Sequence, residues 1–422
     1  MPSELDLLRS LNDEPRTRST VDVQRAIADG RRRRVRRGAG YAGAATVTAL
    51  AVAGASVAGG VFNPAPSQTA ATGAPRTTAS APPKAEYTIP GTAGWSAAPA
   101  TPPTSCTLNR LPVPDNAPMA LVTGAAPTGR YIVGRSYPKA GSYQAVVWHN
   151  GSVQKVMLPG DEELLQDVNS AGTAVGWSWA GGSEEDTGPV PYVYHDGEVS
   201  PLQGVRRGSA YAINDAGAIV GDDTGRAALV WPSATAKPVR LPVPAGTSVA
   251  TARDIDEDGT TVGTINDERP YVWFPDGTHR ELPMPRIDGV QTGSARAFSI
   301  RNGWATGVAS RLTRGGKGTK ADRANNARAV RWNVRTGEVR VFGELQGFPN
   351  EVNAQGWQVG TDKQGRAVLV ADAEPVVLPA LAGGQPTAVS NIATTLSDDG
   401  RTVAGQSDDA TDTIQAVVWR CR

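Results

Sequence analysis

YAINDAGAIVG (211–221) runs on into AALVW (227–231) and, after a polar turn, into VRLPV (239–243). Each apolar run is short and is bounded by Gly, Asn, Asp or Pro. That is strand chemistry with turn residues between the strands. Four strands are therefore expected here, at 211–213, 218–220, 227–231 and 239–243.

The same pattern recurs along the chain. DVNSAGTAVG (167–176), DIDEDGTTVG (254–263), FSIRNGWATG (298–307), EVNAQGWQVG (351–360), TLSDDGRTVAG (395–405) and APTGRYIVG (126–134) complete seven copies. Their terminal glycines are spaced by 42, 45, 42, 44, 53 and 45 residues. An apolar run closing on an aromatic follows, at Trp148, Tyr194, Trp231, Trp273, Trp332 and Trp419, with Val370 in the sixth copy. A turn and Leu-Pro come next, at 158–159, 241–242, 282–283 and 378–379. Four strands per copy of roughly 45 residues is the signature of a propeller blade, so seven copies predict an all-β, seven-bladed β-propeller over 106–422.

The seventh copy stops after its third strand, at VVWRCR (417–422), and the region begins with an orphan fourth strand, CTLNRLP (106–112). The N-terminal strand is expected to complete the last blade and close the ring, leaving no free edge. Aligning this split hairpin on blade one places Cys421 on Asn150 and Cys106 on Val153. Those positions flank a two-residue turn, at a separation a disulfide can bridge. The only two cysteines are thus expected to pair, which demands an oxidising compartment.

The pattern N-D-x-G-x-x-V-G, then A-x-x-W, then a turn and L-P, resembles the HAF-repeat family of predicted extracellular β-propellers. The resemblance covers 106–422. It implies an extracellular β repeat and no established activity.

Ahead of the repeats the chain changes character twice. Residues 1–37 form a polar tail ending in Arg31, Arg32, Arg33, Arg34, Arg36 and Arg37. Residues 38–62 carry no charge, and 25 residues of helix span a ~30 Å hydrocarbon core. The arginine block then sets the topology, with 1–37 cytoplasmic and everything after 62 outside the plasma membrane. A cleaved signal peptide or a twin-arginine export signal is the rival reading. Residues 63–105 hold nine prolines and one acidic residue, and read as an Ala/Pro/Thr-rich linker. Within it, 87–89 and Trp95 are candidates for local docking. The tail, anchor and linker resemble those of single-pass envelope proteins of high-GC bacteria.

Composition narrows the function. A net charge of +1 excludes a globally basic nucleic-acid binder. Aromatics do not interleave with the arginine block, which also argues against nucleic acid there. Three histidines and two cysteines leave no His- or Cys-rich metal site. His149, His195 and His279 fall in turns of different blades and are expected exposed. Asp254, Asp256 and Asp258 begin like a calcium loop, but Ile265 stands where such a loop needs Glu, so a hairpin turn is expected. No catalytic residue, metal or cofactor is assigned.

Length variation is confined to the loops between second and third strands. These share one rim with the connections between blades, and variable loops on one rim are where repeat folds place binding. The candidate rim holds Arg135, Tyr137 and Tyr143; Trp177 and Trp179; Asp222 and Asp223; and Arg311, Arg314, Lys317, Lys320 and Arg323. Acidic residues join it at 184–186 and at 408, 409 and 412. Trp177 and Trp179 are expected on opposite faces, so that at most one meets a ligand. The expected function is a monomeric, membrane-anchored, non-catalytic binding or sensing module for an envelope protein, peptide or glycan. The alternatives are a structural envelope domain without ligand and a glycan hydrolase or lyase using rim carboxylates.

Overall fold

The computed structural model describes residues 88–139, 142–160, 162–180, 188–312, 326–346, 350–371, 374–381 and 391–422. All belong to the second of two units into which the chain divides, Met1–Gly54 and Ala55–Arg422. The expected tail, its six arginines, the span and linker residues 63–87 lie outside the described residues. No helix among the described residues is long and apolar enough to cross a membrane.

Seven four-stranded antiparallel sheets follow one another as the blades of a β-propeller. In each, strands a to d run from the axis outward. Blade one is Met119–Ala125, Tyr131–Tyr137, Gln144–His149 and Ser152–Val156. Blade two is Glu163–Val168, Ala174–Ala180, Gly188–His195 and Glu198–Pro201. Blade three is Gly208–Ile213, Ile219–Asp223, Ala228–Trp231 and Val239–Arg240. Blade four is Ala250–Ile255, Thr261–Ile265, Arg269–Trp273 and His279–Glu281. Blade five is Ser294–Arg301, Trp304–Ser310, Ala327–Asn333 and Val339–Gln346. Blade six is Glu351–Val352, Gln358–Thr361, Ala367–Val370 and Val376–Val377. The seventh sheet is Asn391–Leu396, Thr402–Asp408, Ile414–Cys421 and, from the other end of the region, Cys106–Arg110. A two-stranded hairpin, Arg286–Ile287 with Val290–Gln291, interrupts the connection from blade four to blade five.

The repeated residues each have a mechanical reason. Strand a carries a bulge in six blades, between Ala210 and Ala212 in blade three and between Ala252 and Asp254 in blade four. The glycine ending each motif sits opposite it. A Cβ on Gly221 would lie 2.0 Å from the Ser209 carbonyl oxygen, and one on Gly263 would lie 1.9 Å from that of Thr251. The bulge brings the strand a carbonyl in so close that only glycine fits.

The Asn of the turn motif works in two directions. Asn214 Oδ1 accepts the Ala218 amide of its own turn at 2.9 Å, while Nδ2 donates to the Asp256 carbonyl of blade four at 3.2 Å. Asn169 and Asn353 repeat the arrangement, donating to Asn214 O and Ser397 O. A side chain that both accepts and donates ties its own turn to the next blade.

The Trp and Leu-Pro motifs form a second inter-blade tie. The indole Nε1 of each strand c Trp donates to a backbone carbonyl just past strand d of the preceding blade. The pairs are Trp231 with Gln203, Trp273 with Pro242, Trp332 with Pro283 and Trp419 with Pro379, at 2.6–2.9 Å. Trp148 of blade one finds its acceptor, Pro112, at 2.7 Å just past strand Cys106–Arg110. The five indoles are at most 1% exposed.

Cys106 and Cys421 form a disulfide, with Cα atoms 4.0 Å apart at a sequence separation of 315. They are direct cross-strand partners, and Leu108 is the partner of Trp419. The expected alignment is corrected by two positions. In blade one Trp148 pairs with Val153, so Leu108, not Cys106, falls on Val153. Cys421 and Cys106 correspond to the turn residues Asn150 and Gly151. The slip arises because Leu158 of blade one is two residues out of phase with the other Leu-Pro motifs. Leu111 hydrogen-bonds to Ala416, and the matching rung of blade one pairs Ala145 with Val156.

Residues 88–105 lie along the a–b turns in blade order. Asn214 Nδ2 donates to Pro90 O (2.9 Å), Thr92 N to Glu257 O (2.7 Å), and Gln355 Nε2 to Ala98 O (2.8 Å). Thr104 N then donates to Arg422 O at 2.8 Å. Ile89 is buried in the cluster shared by blades three and four.

Candidate functional site

The rim of b–c loops holds three separate groupings. In blade one the buried Arg135 guanidinium lies 5.4 Å from the Tyr137 ring centroid and 4.9 Å from that of Tyr143, with the two rings edge-on at 5.5 Å. In blade three Asp222 accepts from the Tyr211 hydroxyl at 3.1 Å, and Arg253 of blade four lies 4.4 Å over the Tyr211 ring. Burial pushes the Asp222 carboxyl up to about 6, against the pull of Arg253. In blade five Arg311 donates to Ile287 O at 3.0 Å and pairs with Asp288, pinning the start of the basic loop to the inserted hairpin.

Asp223 holds its own b–c turn closed, its Oδ1 accepting the Ala227 amide at 2.9 Å. Arg314, Lys317, Lys320 and Arg323 lie outside the described residues. The opposite-face expectation for Trp177 and Trp179 is corrected. Both stand on one unbulged ladder, opposite Pro191 and Pro189, and residues two apart on a strand share a face. Their difference is depth: Trp177 is 5% exposed and Trp179, near the strand end, 37%.

The histidines are not uniformly exposed either. His149 stacks on Tyr131 with centroids 3.9 Å apart, and His279 Nδ1 on strand d lies 2.5 Å from the Tyr271 hydroxyl. The three aspartates of blade four turn their oxygens to backbone amides. Asp254 takes Ile255 N and Ile300 N, Asp256 takes Glu257 N, Asn302 N and Gly303 N, and Asp258 takes Thr260 N.

Strand a brings together a set that sequence reading did not single out. Asp167, Asp254 and Glu351 occupy one register position in blades two, four and six, opposite Val175, Val262 and Val359. Asp167 braces blade three through Ile213 N (2.9 Å), as Asp254 braces blade five through Ile300 N (2.7 Å). Burial first, then the Asp254 charge, pushes Asp167 up to about 8. Burial pushes Asp254 up to about 7. Glu351 is driven well above the usual carboxylate range by burial, then by Asp167 and Asp254. Each residue keeps some exposure as a whole, while its carboxyl is surrounded by protein.

At the a–b mouth Arg301 of blade five reaches Glu257 of blade four (2.6 Å) and, past blade six, Asp398 of blade seven (2.7 Å). The Trp95 ring lies 4.4 Å from its guanidinium. Sequence reading marked Trp95 for local docking and did not mark Arg301, which sits in an ordinary turn position of the repeat.

No family model matches the chain. No curated protein matches it either. Among solved structures it is similar to the crystal structure of RRP9 WD40 repeats and to the structure of U3-55K. Each comparison gives a TM-score of 0.48 at 10% identity over 75% of this chain, covering 97% and 98% of those chains.

Proposed function

We propose that the protein is a membrane-anchored, extracellular, non-catalytic binding module whose b–c rim receives an envelope protein, peptide or glycan. The observation that carries this is the division of labour between the two faces. The a–b turns are near-uniform, braced blade to blade, and covered in blades three to seven by the chain's own residues 88–105. The b–c loops vary in length and present the exposed Trp179 and the Arg135–Tyr137–Tyr143 grouping. Aromatic rings partly open to solvent, two of them packed on a guanidinium, are the composition of a binding hot spot. The ring is read as closed by strand Cys106–Arg110, with its disulfide suited to an oxidising compartment. The uncharged stretch 38–62 behind its arginine block supports an N-inside anchor, and the HAF-repeat resemblance supports an extracellular location.

The full-length chain, immobilised and exposed to cell-envelope fractions, is expected to retain a ligand. The double variant Tyr137→Ala/Trp179→Ala is expected to retain about tenfold less. Equal retention by both chains would remove the rim from the reading. Turnover of an envelope substrate that the variant abolishes would replace it with an enzyme.

A further inference from the structure

We propose that the a–b face is a recognition groove for an extended peptide, held self-occupied by residues 88–105. A partner segment that fits it carries an aliphatic residue, a glycine two positions later and a tryptophan four positions beyond that.

Three contacts define the fit. Ile89 is 1% exposed within the apolar cluster of blades three and four that also holds Ala212, Val220, Ala252 and Ile255. Gly91 lies flat on the next turn, where an added Cβ would stand 2.2 Å from the Asp258 carbonyl carbon and 2.4 Å from the Gly259 nitrogen. Only glycine is accommodated there. Trp95 covers the Arg301 guanidinium, which Glu257 and Asp398 hold in place. Between and just beyond these points the segment is held by its main chain: Pro90 O, Thr92 N and Ala98 O bond to Asn214, Glu257 and Gln355. Main-chain bonds give affinity without regard to sequence, while the pockets select side chains, as in other extended-peptide sites.

The segment is also separable. Up to Pro103 it joins none of the sheets, and only Thr104 and Ser105 run on into the last blade through Arg422, so every blade ladder is complete without residues 88–103. The disulfide at Cys106 keeps the ring linked whether the segment is docked or not. A segment tethered by so short a connection acts at an effective concentration on the order of millimolar. A free peptide of micromolar intrinsic affinity is therefore held back about a thousandfold. The groove is closed to such partners until the strap lets go.

The test uses the full-length chain and a labelled peptide of residues 86–98, read by fluorescence anisotropy. The Ile89→Ala/Trp95→Ala chain, weakened in its own strap, is expected to bind the peptide up to about a thousandfold more tightly than the unaltered chain. A peptide carrying Gly91→Ala is expected not to bind. Equal binding by the two chains, no binding by the weakened chain, or undiminished binding of the Gly91→Ala peptide each overturns the proposal. Hydrogen exchange on the unaltered chain checks separability without any variant. The Thr92 amide should exchange by local opening, well ahead of the Leu111 amide inside the ring. Exchange of both only in a common global event overturns the proposal too. The Trp179→Ala chain should bind the peptide as the unaltered chain does, so failure here leaves the rim reading standing.

Discussion

Asn214 shows how much one repeated residue carries. It is 1% exposed, accepts from Ala218, and donates to both Pro90 and Asp256. Asn214→Ala strands the Pro90 carbonyl and the Ala218 amide in a covered turn, while Asp256 O keeps its bond from Gly259 N, so a loss of about 1–3 kcal/mol is expected in equilibrium denaturation. Asn214→Asp keeps the acceptor and loses both donors, and should also destabilise, because it brings a carboxylate to two carbonyls. A neutral result for the Asp variant would show that the inter-blade donation contributes nothing. Trp231→Phe isolates the other tie. It keeps the ring in the core and removes the donor to Gln203 O, for an expected cost of about 1–3 kcal/mol. Tyr194 occupies this position in blade two, where its hydroxyl bonds to Gly197 and to Gln154 of blade one instead, so Tyr194→Phe should also destabilise by the same measurement. These residues were legible in the sequence because their side chains do the work. Trp177 and Trp179 were misread on a simpler point: strand alternation has a period of two, so residues two apart share a face.

At the scale of the element, strands and blade count were legible and several registers were not. The glycine at each motif end announces a bulge only once the paired strand is known. Asp167, Asp254 and Glu351 each open their motif, in DVN, DID and EVN, nine residues before its glycine, but that the ring brings three carboxyls of alternate blades into each other's field is legible only once the blades are closed. The docking of residues 88–105 was hidden for a related reason. Most of its bonds are made by main-chain carbonyls and amides, those of Pro90, Thr92 and Ala98 among them, which carry no side-chain signal. The disulfide was legible from the split blade, although the Leu158-Pro159 offset shifted its rung. Replacing both cysteines with alanine is expected to lower stability by about 3–5 kcal/mol, given the length of chain they join. A calorimetric midpoint equal to that of the unaltered chain would mean that strand pairing alone holds the two ends together.

For the whole molecule, the carboxylates around the channel predict an unusual pH response. Asp167 and Asp254 have folded-state values of about 8 and about 7, above the ordinary carboxylate range they return to on unfolding. Between the unfolded and folded values the native ring binds more protons than the unfolded chain, so stability must fall as pH rises. The thermal midpoint is therefore expected to increase on acidification from pH 8 towards pH 5. Glu351→Gln removes the third raised carboxyl, which burial and then the Asp167 and Asp254 charges drive upward, and should flatten that slope while raising the midpoint at pH 8. A midpoint that falls steadily over the same interval would assign control to the surface ion pairs instead.

The placing of the Cys106–Cys421 bond has one more consequence, in how the chain bears load. Tension applied from the N-terminal side enters the described structure at residue 88 and travels along the strap, whose contacts give way one blade at a time. At Cys106 it meets a covalent link to the last strand and is diverted there before strand Cys106–Arg110 can be stripped from its neighbour. The strap yields, the disulfide carries the load, and the indole anchored on Pro112 two residues past that strand is shielded from the pull.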